Sequence, residues 1–199
     1  MPLGAFKAAL MGTAGVSTGP EAPFVVLLST QTASDDASIS FTSGIDDTYV
    51  EYIFKFYNIN PTSGAVFQWQ VDANGGDDGY NDIYITSTFF RAYHIENDSA
   101  AALTYNTGND EAQTQAYADL IQTITNGADE NGNGELHLFN PSSTTYVKHW
   151  YSRISANDGT YGMDNFAAGY WNTTSAINAV NFKFAYGNLD GTIKMWGVK

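Results

Sequence analysis

Period-two alternation of apolar and polar side chains runs through most of this chain, and it restricts the fold more than any other feature. From Tyr49 to Ile59, Val50, Tyr52, Phe54 and Phe56 share one parity while Glu51, Lys55 and Tyr57 share the other. From Ala65 to Asp72, Ala65, Phe67, Trp69 and Val71 oppose Gln68, Gln70 and Asp72. Side chains alternate across a strand, so each run reads as a strand with one buried face. The same reasoning marks Phe24–Thr30, Ala37–Ser43, Ile83–His94, Glu135–Phe139, Thr144–Ile154, Ala167–Thr173, Ile177–Tyr186 and Gly191–Val198. The segments between them are rich in Gly, Asn and Asp, as hairpins and sheet-to-sheet corners require.

One segment departs from this period. From Asp110 to Thr125, Ala112, Ala116, Tyr117, Leu120, Ile121 and Ile124 recur at spacings of three and four, with acids at the start and Asn126-Gly127 at the end. That spacing predicts a short helix closing one end of the fold. About ten strands and one helix predict an all-β chain, a jelly-roll-like antiparallel β-sandwich spanning residues 23–199. Residues 1–22 read as a separate apolar arm. Phe6 and Leu10 lie one helical turn apart, Met11 adds a third knob, and Thr18-Gly19-Pro20 breaks the chain behind them. Such an arm is expected to dock on a neighbouring subunit.

Composition narrows the function. Eight Lys and Arg against 21 Asp and Glu give a net charge of −13, a field that repels phosphate backbones and anionic lipid, so neither nucleic acid nor membrane is an expected partner. The absence of cysteine removes disulfides, thiolate metal sites and cysteine nucleophiles. Charged residues make up only 15% of the chain, and 13 Tyr, 12 Phe and 4 Trp accompany abundant Gly, Ser, Thr and Asn. This is the composition of an extracellular or particle-surface β-protein. Lys7 interrupts the first apolar stretch, so that stretch reads as mature protein rather than a signal peptide.

The chemistry-bearing residues give few patterns. His94, His137 and His149 fall on predicted strands without a second ligand at metal spacing, and no nucleophile-elbow, zinc-protease or phosphate-loop motif occurs. Glu51 and Glu135 are the carboxylates on strands that a glycosidase would need, but nothing in the sequence pairs them. Asp129-Glu130-Asn131-Gly132-Asn133-Gly134 fits the opening of a calcium loop, yet position twelve is Asn140 rather than Glu. Its two Asn-Gly pairs also make a tight turn without an ion. The run from Asp72 to Asp78 has the same two readings. No cofactor is expected, with calcium as the alternative at these loops. Tyr161, Tyr170 and Trp171 are the candidate sugar-stacking or interface rings, with alternation sending one of Tyr170 and Trp171 inward.

The two ends of the chain carry a resemblance. The opening Met-Pro-Leu-Gly-Ala-Phe-Lys-Ala-Ala-Leu-Met-Gly is similar to the start of small structural proteins encoded by tailed bacteriophages. The Tyr170-Trp171-Asn172-Thr173-Thr174-Ser175-Ala176-Ile177 stretch and the closing Gly191-Thr192-Ile193-Lys194-Met195-Trp196-Gly197-Val198 resemble the ends of phage jelly-roll modules, with Trp196 where that pattern usually has Tyr. The resemblance implies a virion structural protein, made in the host cytoplasm and without catalytic residues. Its expected partners are other phage virion proteins and further copies of itself, a trimer above all. Tail- or fibre-associated adhesion to host surface glycans is the leading role. Capsid decoration is the alternative, and a carbohydrate-active enzyme or a free lectin-like module is the alternative of another class. The residues beside Asn188-Leu189-Asp190-Gly191 are expected to pair as a C-terminal hairpin, with Val180, Phe182 and Phe184 on one face of its first strand. Ile193 and Met195 would then face the core, leaving Trp196 on the opposite face for a subunit contact.

Overall fold

A computed structural model describes residues 24–76 and 79–199. In chain order the strands are β1 (Val25–Asp36), β2 (Ile39–Phe41), β3 (Glu51–Pro61), β4 (Ala65–Asp72), β5 (Ile85–Ile95), β6 (Ala101–Tyr105) and β7 (Ala112–Thr114). They continue as β8 (Ala118–Ile124), β9 (Gly132–Phe139), β10 (Lys148–Asn157), β11 (Tyr161–Trp171), β12 (Ala179–Phe184) and β13 (Leu189–Val198). A nine-stranded sheet runs β1-β13-β3-β9-β10-β11-β5-β6, with β7 also on β5, and a four-stranded sheet runs β2-β12-β4-β8. All the pairings are antiparallel, and the chain passes repeatedly from one sheet to the other, giving a jelly-roll-like β-sandwich. The arm residues Phe6, Leu10 and Met11, and also Asp77 and Asp78, lie outside the described residues.

The alternation identified the core. Tyr52, Phe54, Phe56, Phe67, Trp69 and Val71 are buried between the sheets, as are Ile193 and Met195. Phe182 sits at their centre, with its ring 5.3–6.4 Å from those of Phe41, Phe54, Phe56, Phe67 and Trp69. These partners come from both layers, so one side chain ties the sandwich together.

Two expectations are corrected. The Asp110–Thr125 segment is no helix: it forms β7 on the large sheet and β8 on the small one. The misleading spacing comes from irregular pairing. β4 and β8 shift register between Ala65 and Phe67 and again between Phe67 and Gln68, which breaks the period of two. Residues 118–121 are all buried, so this stretch shows no polar face either. The expected C-terminal hairpin is also absent, because β12 pairs with β2 and β4 while β13 pairs with β1 and β3. The chain crosses from one layer to the other over residues 185–188, where Gly187 has φ +72°. Alternation gives a strand two faces but does not say which neighbour it takes.

Candidate functional site

The outward face of the nine-stranded sheet concentrates the exposed chemistry. Register sets its rows. Lys194 lies opposite Lys55, Lys55 opposite Glu135, Glu135 opposite Arg153, Arg153 opposite Phe166 and Phe166 opposite Phe90. On one side of this row runs a second, Trp196, Ile53, His137, Tyr151 and Ala168. On the other side stand Tyr57, Asn133, Ser155 and Asp164. Tyr57, Asn133, Ser155 and Asp164 join Lys55, Glu135 and Arg153 in lining an open groove of about 630 Å³.

Within the row the charges are mostly paired. Lys55 Nζ lies 3.3 Å from Glu135, and Arg153 donates to Asp164 through Nε and Nη2 at 2.7–3.1 Å. The Arg153 guanidinium sits 5.1 Å from the Phe166 ring centre, and Phe166 stacks on Phe90 at 4.8 Å. Lys194 differs. No carboxylate is ion-paired with it among the described residues, and its ammonium lies 5.2 Å from the centre of the Tyr57 ring.

His137 joins the two carboxylates that the sequence left unpaired. Its Nδ1 is 2.5 Å from Glu51 Oε1, and its Nε2 is 3.3 Å from Glu135 Oε1. Tyr151 covers the imidazole at 4.6 Å, nearly parallel. Partial burial raises the Glu135 carboxyl, but hydrogen bonds from His137 and Lys55 and their charges outweigh it and hold Glu135 below the usual carboxylate range. A glycosidase acid needs the opposite shift, so Glu135 does not fit the proton-donor role. Because the two carboxylates address different ring nitrogens, they do not converge on one point as metal ligands must. Among the described residues no group of three His, Asp or Glu is placed to hold a metal ion.

The aromatics singled out in the sequence separate. Tyr170 faces outward near His149, with ring centres 5.9 Å apart, and its hydroxyl accepts a hydrogen bond from Gln113. Trp196 is on the same face, between Leu27 and Ile53, four strands away from Tyr170, or about 19 Å. Trp171 points inward as alternation required for one of the pair. It is 0% exposed and packs edge-on against Trp69, so it belongs to the core and not to a sugar platform. Tyr161 has the parity of Trp171 and lies against Tyr93 and the Arg91 guanidinium on the inward face. These four rings therefore do not form one patch.

The calcium-loop motif is occupied by its own turn. Asn133 Oδ1 accepts the Asn58 amide at 2.9 Å, and Asn131 Oδ1 accepts from Asn133 Nδ2 at 2.6 Å. The Glu130 carboxylate accepts the Gly127 amide at 2.9 Å and the Thr125 hydroxyl. Gly132, Asn133 and Gly134 already belong to β9. In the second acidic run, Asp72 is fully buried and its oxygens accept the amides of Asn74 and Gly76.

Sequence reasoning missed the groove residues Arg153, Asp164 and Asn133, although alternation had put Glu51, Lys55 and Tyr57 on one face. The missing information was register: β3 meets β9 across some eighty positions of sequence. No known protein family matches the chain, and no curated protein sequence matches it.

Proposed function

We propose that the chain is a bacteriophage virion structural protein, displayed on the particle and anchored through residues 1–22, whose role is adhesion to glycans of the host surface. The observation that carries this reading is the outward face of the nine-stranded sheet. There Tyr57, Tyr151 and Phe90 flank the Lys55–Glu135 and Arg153–Asp164 pairs, and Tyr170 stands beyond them on the same open face. Rings with an apolar face and a polar rim stack on sugars, and the bidentate Arg153–Asp164 pair offers fixed donors and acceptors to hydroxyls. An open strip, rather than a closed pocket, suits a polymer that continues beyond the contact.

Two further features support the assembly half of the reading. β1 is the edge of the large sheet, and Phe24 just before it and Val25 and Leu27 within it are exposed. An edge strand whose first ten residues carry no charge and no proline is a template for another chain, and natural proteins keep such edges covered. A second copy or another virion subunit would cover it, in keeping with a closed oligomer such as a trimer. The resemblance of both chain ends to phage proteins points the same way.

Immunogold electron microscopy of intact particles with an antibody to this chain tests the proposal. Label at the tail agrees with adhesion. Label over the head makes the chain a capsid decoration protein, and unlabelled particles overturn the virion reading and leave the free lectin or enzyme.

A further inference from the structure

Lys194 and Lys55 stand directly opposite each other across the β13–β3 pair. Like charges at that position repel, with side chains starting about 5 Å apart, and the arrangement costs stability. It is also uneconomical in composition. The chain has eight Lys and Arg against a net charge of −13, and Lys55, Arg153 and Lys194 all lie on this one row. Glu135 neutralises Lys55, Asp164 neutralises Arg153 and Glu51 is held by His137, so Lys194 is the cation of the strip with no ion-pair partner among the described residues. It sits at the groove's margin beside Tyr57, which is 40% exposed.

We propose that this corner binds an acidic saccharide, with the sugar ring on Tyr57 and its carboxylate between Lys194 and Lys55. The inference rests on the adhesion reading and adds the chemical class of the glycan. The net charge of −13 repels anions at long range, but at this corner two lysines face each other, and a bound carboxylate removes their repulsion and gives Lys194 an ion-pair partner. Lys194 lies over one face of the Tyr57 ring, and the other face, turned to the groove, supplies the flat apolar surface that a pyranose requires. Ser155, further along the groove, is within the lining and offers a hydroxyl group to the next sugar. A neutral glycan would leave the lysine pair unexplained.

The full chain is tested on immobilised oligosaccharides containing uronic or sialic acid, each beside its carboxyl-reduced counterpart, and on neutral hexose oligomers. Binding to an acidic member is expected, weakened about tenfold by carboxyl reduction, the scale of one charge-assisted hydrogen bond at a partly exposed site. Lys194→Gln and Tyr57→Ala should each lower it by a similar factor. Lys183→Gln should leave it unchanged, because Lys183 is on the other sheet, over the Tyr117 ring. Lys194→Gln should also melt close to the wild type, since relief of the like-charge contact offsets the lost contact with the Tyr57 ring. Equal binding to acidic and carboxyl-reduced forms overturns the acidic class and leaves adhesion standing. Acidic binding indifferent to Lys194→Gln and Tyr57→Ala in folded protein overturns the site. Binding to no saccharide of any class removes the adhesion reading itself.

Discussion

Replacing Phe182 by alanine should produce one of the larger single-residue losses of stability in this fold. The ring is fully buried and touches aromatic rings from β2 and β4 in its own sheet and from β3 in the opposite one. Phenylalanine-to-alanine changes in cores cost about 3–5 kcal/mol, and the value grows with the cavity that fails to close. Here the surrounding rings are fixed to two separate sheets, so collapse is limited and the expected loss is about 4–5 kcal/mol. For a domain of this size that lowers Tm by roughly 8–20 °C. Urea unfolding followed by tryptophan fluorescence should show the midpoint falling with an unchanged slope. A loss below about 1.5 kcal/mol would mean that Phe182 is not between the layers. That result would refute the placement of β12 in the small sheet and reopen the C-terminal hairpin.

Other expectations concern the charged and close-packed positions. Tyr52 and Tyr117 are both pushed up to about 12, chiefly by burial, so the folded state holds their protons more tightly. Their contribution is complete below pH 10 and lost as pH rises towards 12, and the wild type should lose stability there more steeply than Tyr117→Phe. Glu135 is held below the ordinary carboxylate range, so its contribution is present above that range and lost as pH falls through it; Glu135→Gln should flatten the acid limb of a stability–pH curve. Gly134→Ala should cost about 3 kcal/mol or more, because a Cβ there would come 2.3 Å from the Arg153 carbonyl oxygen and 2.7 Å from Ile154 Cα. A variant with wild-type melting would show that β9 and β10 approach less closely than described.

The sequence made the strands and their buried faces legible because a period of two is local information. The core faces of β3 and β4 could be read, with Glu51, Lys55 and Tyr57 facing away from the core, although Val50 proved exposed and Gln70 and Asp72 proved buried. Partnership was not legible. Phe182 and Ile193 both looked like core residues, and nothing local said that β12 and β13 belong to different layers. β8 failed for another reason: its bulged pairing and its four consecutive buried residues imitate helical spacing. The candidate site suffered most from missing register. Glu51 and Glu135 were visible as strand carboxylates, but only the β3–β9 alignment places His137 between them. Likewise Lys194 was visible as part of a closing motif, and only its position opposite Lys55 makes it unusual.

Adsorption competition decides whether the outward face of the large sheet binds the host surface. Purified full-length chain, in molar excess, is added to host cells before the particles, and the fraction of particles adsorbed is measured. Wild-type chain should lower adsorption in a dose-dependent way, and Tyr57→Ala and Lys194→Gln chains, folded and at equal concentration, should compete poorly. Undiminished adsorption at saturating wild-type chain would contradict binding by this face.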